Sequence, residues 1–168
     1  MKNQLQLDCK LPVVLVIGLL FGVFIPISTS AQSTVTRQNE YNLSKSHLAI
    51  KGFDPVSYFE GEPREGRSDV KAYYRGVTYY FTGNKHKEEF LSNPGKYEPM
   101  YGGWCAYAMG ETGEKVKINP KTFKIINGKV YLFYDFFLTN TLDDWNKDEK
   151  NLKIKADKNW GKLINPNQ

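Results

Sequence analysis

Cys105 is the residue whose type and surroundings most favour chemistry. It lies in the stretch YGGWCAYAM, residues 101–109, behind two glycines and among aromatic rings. A thiolate is a ligand for soft metals such as Cu(I), and it also binds zinc. A second interpretation is a redox-active thiol. Because free cysteine is among the most buried residue types, packing in the core is the third interpretation. The sequence leaves all three open.

A metal held by Cys105 needs further ligands, and the chain offers four of suitable type. Met100 precedes Cys105 by five residues, and a thioether beside a thiolate favours Cu(I). Asp54 offers a carboxylate, although its place before Pro55 also suits the N-cap of a short helix. The two histidines of the chain complete the set. The predicted metal ligands are Cys105, Asp54, Met100, His47 and His86.

The aromatic loop also supports a site without metal. Its rings could line a pocket for a small organic ligand or a protein partner, whereas a packed aromatic core is the structural alternative. Adjacent glycines let backbone and ligand approach closely. The predicted ligand-binding residues are Tyr58, Tyr101, Gly102, Gly103, Trp104 and Tyr107.

Composition restricts the classes of function. The 168 residues carry a formal net charge of +5, with scattered lysines and no nucleic-acid-binding motif, so a nucleic-acid partner is not expected. A Cys–His nucleophile lacks a third group to orient it. We therefore predict no catalytic residues, and the sequence favours binding over catalysis.

The first 31 residues have the order of a secretory signal peptide. Lys2 and Lys10 precede an apolar run over 11–27, and small residues lead to a predicted cleavage after Ala31. We predict export to the periplasm or the medium, with no stable membrane anchor after cleavage. Cleavage would leave Cys105 as the only cysteine, which excludes an intramolecular disulfide and a four-cysteine zinc site.

The remaining chain predicts a small α+β domain with two β-hairpins and flanking helices. Residues 32–44 are a predicted flexible lead-in, and the domain covers 45–165. One hairpin turns at Arg75–Gly76, and the other at Asn127–Gly128, the preferred pair for a tight turn. Apolar residues recur at helical spacing near the C-terminus.

Four stretches together resemble the YHS domain family, in particular its exported single-domain branch. They are AIKGFDPVSYFEGEP, GVTYYF, FLSNPGKYEPMYGGWCAYAM and ADKNWGKL, and they extend from about Leu48 to Leu163. The resemblance implies a treble-clef-related α+β fold and an association with metal sensing and heavy-metal transport. In relatives several cysteines are thought to bind metal, whereas here the loop keeps only Cys105. The resemblance carries over these positions: Asp54, Tyr58, Tyr101, Gly102, Gly103, Cys105 and Tyr107.

The combined expectation is an exported domain that binds a soft transition metal, copper ahead of zinc, at a site centred on Cys105. The alternatives are a thiol-redox protein and a module that binds a small ligand or a partner through the aromatic loop.

Overall fold

The computed structural model describes residues 29–165, and within that range the chain forms six α-helices and three two-stranded antiparallel hairpins. The helices are α1 Thr29–Glu40, α2 Asn84–Ser92, α3 Pro94–Tyr97, α4 Ala106–Glu111, α5 Thr141–Lys147 and α6 Glu149–Ile164. This is the predicted α+β class, while the relation to a treble clef stays a prediction. Residues 1–28, which hold most of the predicted signal peptide, lie outside the described range. Within residues 29–165, no helix combines the length and the hydrophobicity needed to cross a membrane.

The first hairpin confirms the predicted turn and has an apolar inward face. Strands β1 Arg67–Tyr74 and β2 Val77–Phe81 meet at Arg75–Gly76, where both residues have positive φ. Ala72 pairs with Tyr79, and Tyr74 pairs with Val77, before a bulge shifts the register toward Arg67. The inward side chains of β2 are almost completely buried.

The second hairpin separates two hydrophobic clusters. Strands β3 Asn119–Ile126 and β4 Lys129–Phe133 meet at the predicted Asn127–Gly128 turn. Val130 and Leu132 of β4 join one cluster with the first hairpin. Tyr131 and Phe133, on the opposite face of β4, join a second cluster with α4, α5 and α6. Both faces of β4 are therefore buried.

A third, very short hairpin follows, in addition to the two that were predicted. Its strands are β5 Asp135–Phe136 and β6 Thr139–Asn140, joined by Phe137 and Leu138. Asn140 then caps α5, because its side-chain oxygen accepts a hydrogen bond from the Leu142 N–H at 3.0 Å.

The prediction of a flexible lead-in over 32–44 is wrong for the part that forms α1. Arg37 of this helix is buried and makes a bidentate ion pair with Glu98. Its Nε also donates to the Arg75 carbonyl at 3.1 Å, and its guanidinium lies over the Tyr41 ring. These long-range contacts attach a polar segment to the first hairpin, and no local pattern in the sequence indicates them.

Candidate functional site

Asp54 is positioned by a left-handed turn. Ile50, Lys51 and Gly52 all have positive φ, and Asp54 follows two residues later. A β-branched residue such as Ile50 rarely adopts this conformation, so the surrounding structure must enforce it. The Asp54 N–H donates to the Arg64 carbonyl at 2.9 Å, which fixes the chain where it leaves the turn.

The Asp54 carboxylate is fully buried and accepts four hydrogen bonds. One oxygen accepts from the Val56 N–H at 2.9 Å. The other accepts from the N–H and the hydroxyl of Thr82, both at 2.8 Å, and lies 2.7 Å from Nδ1 of His86. The prediction that Asp54 is the N-cap is wrong, because Val56 occupies that position before the 3-10 helix Ser57–Glu60; the Asp54 carboxylate instead closes the turn that leads into the helix. Asp54 additionally ties this turn to the end of β2 and to α2.

His86 links the buried carboxylate to a second one that reaches solvent. The imidazole is 7% exposed, and its Nε2 lies 3.1 Å from Oε1 of Glu60. The Glu60 side chain is 43% exposed, and its other oxygen pairs with the Arg64 guanidinium. Asp54, His86 and Glu60 therefore form a continuous polar path, which we call the histidine cluster, from the core to the surface.

The hydrogen-bond pattern fixes which imidazole nitrogen is available. The Asp54 carboxylate can only accept, so Nδ1 of His86 donates to it. In the neutral ring Nε2 then carries a lone pair, and that lone pair faces a carboxylate oxygen of Glu60. The 3.1 Å distance is that of a hydrogen bond when Nε2 carries a hydrogen, and it is also compatible with the two atoms as adjacent ligands of one metal ion.

Cys105 lies in a closed environment. Its Sγ is fully buried and accepts from the Tyr134 N–H at 3.4 Å. Thr141 donates its hydroxyl hydrogen to the Tyr134 carbonyl at 2.9 Å, so its oxygen is free to accept from the Cys105 thiol at 3.4 Å. Both bonds suit a neutral thiol.

The structure does not join the five predicted ligands in one site. Asp54 and His86 are hydrogen-bonded, but Met100 packs against the second cluster. His47 has its Nδ1 at 3.3 Å from the amide nitrogen of Gln38. Among residues 29–165, no group of three or more His, Cys, Asp or Glu side chains is arranged to hold a metal ion.

The predicted ligand-binding rings mostly serve the core. Tyr58 and Tyr101 are each 1% exposed and donate to the Pro120 carbonyl and the Asp157 carboxylate. Burial raises the pKa of both phenols well above the usual value. Trp104, which is half-buried, donates to the Glu40 carbonyl at 2.6 Å. Tyr107 is also half-buried and packs against both clusters.

The two loop glycines are required by the backbone. Gly102 and Gly103 have φ of 59° and 84°. A Cβ on Gly102 would lie 2.8 Å from the rings of Trp160 and Tyr41. These aromatic side chains occupy the space beside Gly102.

Sequence reasoning missed Glu60, Arg64 and Thr82. Glu60 and Arg64 are separated by four residues, a common spacing for a surface ion pair. Thr82 and His86 have the same spacing around the start of α2, but the carboxylate that joins them is 32 residues from His86. Only the fold brings it there.

No family model matches this sequence, and no curated protein or solved structure is significantly similar to it. The resemblance to the YHS domain family therefore stays a prediction, and the site has to be interpreted from its own geometry.

Proposed function

We propose that this protein binds a divalent transition metal ion through Nε2 of His86 and the carboxylate of Glu60. The observation that supports it is the 3.1 Å distance between Nε2 of His86 and Oε1 of Glu60 at the surface end of the histidine cluster. Asp54 would act as the outer partner that holds the ring, since metal-binding histidines usually donate their other N–H to a carboxylate or carbonyl.

The donor atoms favour particular metals. Imidazole and carboxylate suit Cu(II) and Zn(II), and copper precedes zinc in the general order of affinity. Cu(I), which the thiolate and thioether predicted, would require Cys105 and Met100, and neither lies in the histidine cluster. The proposal thus keeps copper ahead of zinc and changes the oxidation state and the ligands.

Two protein ligands leave coordination positions for water or for a donor from another molecule. Affinity should consequently be modest, and the Arg64 guanidinium beside Glu60 lowers it further. Protons compete for Nε2, so binding should weaken as the pH falls. These properties fit a protein that accepts and releases metal more than one that stores it.

The test is a titration of the full-length chain with Cu(II) and Zn(II) against a competing chelator. All variants carry Cys9→Ser, because that thiol lies outside the described residues and would bind metal itself. His86→Asn and Glu60→Gln should each weaken one-to-one binding by about tenfold or more. His47→Asn is the matched control, since His47 has an amide neighbour and no carboxylate contact in the described structure.

The result with Cys105→Ser separates the proposal from the site predicted on the sequence. Unchanged affinity in Cys105→Ser together with weaker binding in His86→Asn supports the histidine cluster. Loss of binding only in Cys105→Ser overturns the proposal and indicates that the Cys105 thiol is the metal ligand. Equal affinity in His86→Asn and wild type also overturns it, and the histidine cluster would then hold only a proton.

A further inference from the structure

The loop of the third hairpin exposes two large apolar side chains. Phe137 and Leu138 are each 103% exposed, so neither contacts the body of the domain appreciably. Phe136, one residue earlier, is 42% exposed. Single exposed apolar residues are ordinary on protein surfaces, but adjacent, fully exposed ones at the apex of a hairpin need an explanation.

Folding does not provide that explanation. The other two hairpins turn at Arg75–Gly76 and Asn127–Gly128, where glycine occupies a position of positive φ. In the third hairpin the residue with positive φ is Phe137, at 54°. An aromatic residue is disfavoured there relative to glycine or asparagine, so Phe137 costs stability by its conformation and gains none by burial.

A cation lies at the base of this apex. The Lys51 ammonium is 5.5 Å from the centre of the Phe136 ring, and Lys51 is exposed. The nearest acidic group on the hairpin, Asp135, accepts a hydrogen bond from the Thr122 hydroxyl at 2.7 Å. The whole chain is basic, with a formal net charge of +5.

We infer that the apex formed by Phe137 and Leu138 inserts into the surface of a lipid bilayer that contains anionic lipids. A protruding apolar tip reaches the boundary between headgroups and acyl chains, and a lysine behind it lies at the level of the phosphates. The predicted export signal would also bring the chain to a membrane. This inference does not depend on metal binding, because none of its residues belongs to the histidine cluster.

The test places a fluorescent reporter at the apex of the full-length chain. Phe137→Trp is mixed with vesicles of phosphatidylcholine and phosphatidylglycerol, some of which carry brominated acyl chains. We expect a blue shift and quenching by bromine beyond those of the wild type, whose own tryptophans provide the background. Tyr73→Trp is the matched control, since Tyr73 is 67% exposed on the first hairpin. The readout is local, so membrane contact by residues 1–28 cannot imitate it.

Two further substitutions in the Phe137→Trp background separate apolar insertion from adsorption by charge. Leu138→Ser should reduce quenching at a given lipid concentration by about tenfold, because it removes half of the apolar apex. Lys51→Gln should weaken binding to anionic vesicles by about fivefold and should have little effect with phosphatidylcholine alone. Circular dichroism and the thermal midpoint verify that each variant is folded.

Three results would overturn the inference. The first is the absence of quenching at position 137, and the second is equal quenching at positions 73 and 137. The third is apex-dependent self-association in sedimentation velocity without quenching, which would identify a second copy of the chain as the occupant.

Discussion

The turns Ile50–Gly52 and Tyr101–Gly103 both have a left-handed backbone. Each precedes, by the same number of residues, a side chain that can take part in chemistry. The surroundings of these two side chains differ. All three residues of each turn have positive φ. Each turn is followed by one aromatic residue and then by Asp54 or Cys105. Asp54 continues through His86 to the exposed Glu60, whereas Cys105 ends against Thr141 and the backbone of Tyr134.

The difference follows from what each side chain requires when it is buried. A carboxylate must be matched by several donors, and the elements that supply them to Asp54 also bring the ring of His86 toward the surface. A neutral thiol is satisfied by two weak hydrogen bonds and apolar neighbours, so no polar side chain connects it to the surface. The same left-handed turn therefore precedes a polar path to the surface in one place and a residue packed in the core in the other.

Removal of the carboxylate should produce the largest effect. Asp54→Ala leaves the Val56 N–H, the Thr82 N–H and Nδ1 of His86 without their acceptor. Each buried donor left unpaired costs about 1–3 kcal/mol, so we expect the free energy of unfolding to fall by about 4 kcal/mol. Urea denaturation followed by tryptophan fluorescence measures it. A loss below about 1 kcal/mol would show that the turn does not depend on these bonds.

The two turns should differ in their tolerance of a methyl group. Gly102→Ala combines a left-handed backbone with a Cβ only 2.8 Å from Trp160 and Tyr41. Gly52→Ala has the same backbone problem, but its Cβ would lie 3.4 Å from the Tyr80 ring, which is ordinary contact. We expect losses of about 3 kcal/mol and about 1 kcal/mol respectively, measured as shifts in the urea midpoint. Equal losses would mean that the Tyr41 and Trp160 rings can move aside.

Truncation of the thiol should cost less than truncation of the carboxylate. Cys105→Ala removes one buried atom and weakens the pairing of the Tyr134 N–H, for an expected loss of about 1–2 kcal/mol. Thermal and urea unfolding provide the measurement, and Cu(II) affinity should stay at the wild-type value. If Cys105→Ala lowered the free energy of unfolding as much as Asp54→Ala, the two turns would not differ in their dependence on the buried side chain.

Local patterns predicted what local chemistry determines. The turn pairs at residues 75–76 and 127–128 predicted both main hairpins. Gly61, a residue type common after a helix, ends the 3-10 helix with φ of 85°. Leu91, although apolar, is 47% exposed, because Phe90 alone occupies the buried side at that end of α2.

Long-range contacts could not be predicted in the same way. The pairing of Asp54 with His86 and that of Arg37 with Glu98 join residues 32 and 61 positions apart. Each side chain taken alone has an ordinary local role, as a helix cap or a polar helix residue. Only the packing of β2 and α2 against the Ile50–Gly52 turn brings the three residues of the histidine cluster together.

High pH should affect both turns through their buried tyrosines. Burial raises the pKa of Tyr58, and the negative charge of Asp54 raises it further. Burial likewise raises the pKa of Tyr101, which donates to Asp157. The unfolded chain loses these protons above about pH 10 while the folded protein keeps them, so stability is complete below that pH and falls as the pH rises. Each phenol should contribute a loss of about 1.4 kcal/mol per pH unit.

Tyr58→Phe isolates the contribution of one phenol. At pH 8 the variant should be about 1 kcal/mol less stable than the wild type, because the Pro120 carbonyl loses its donor. Above about pH 10 its stability should decline less steeply, by about 1.4 kcal/mol per pH unit, since one proton fewer is released on unfolding. The two urea midpoints should therefore converge as the pH rises. Tyr73→Phe is the control, because its ring is 67% exposed in the folded protein. Parallel declines for Tyr58→Phe and wild type would mean that the Tyr58 phenol ionises without unfolding, and that its site beside Asp54 admits water.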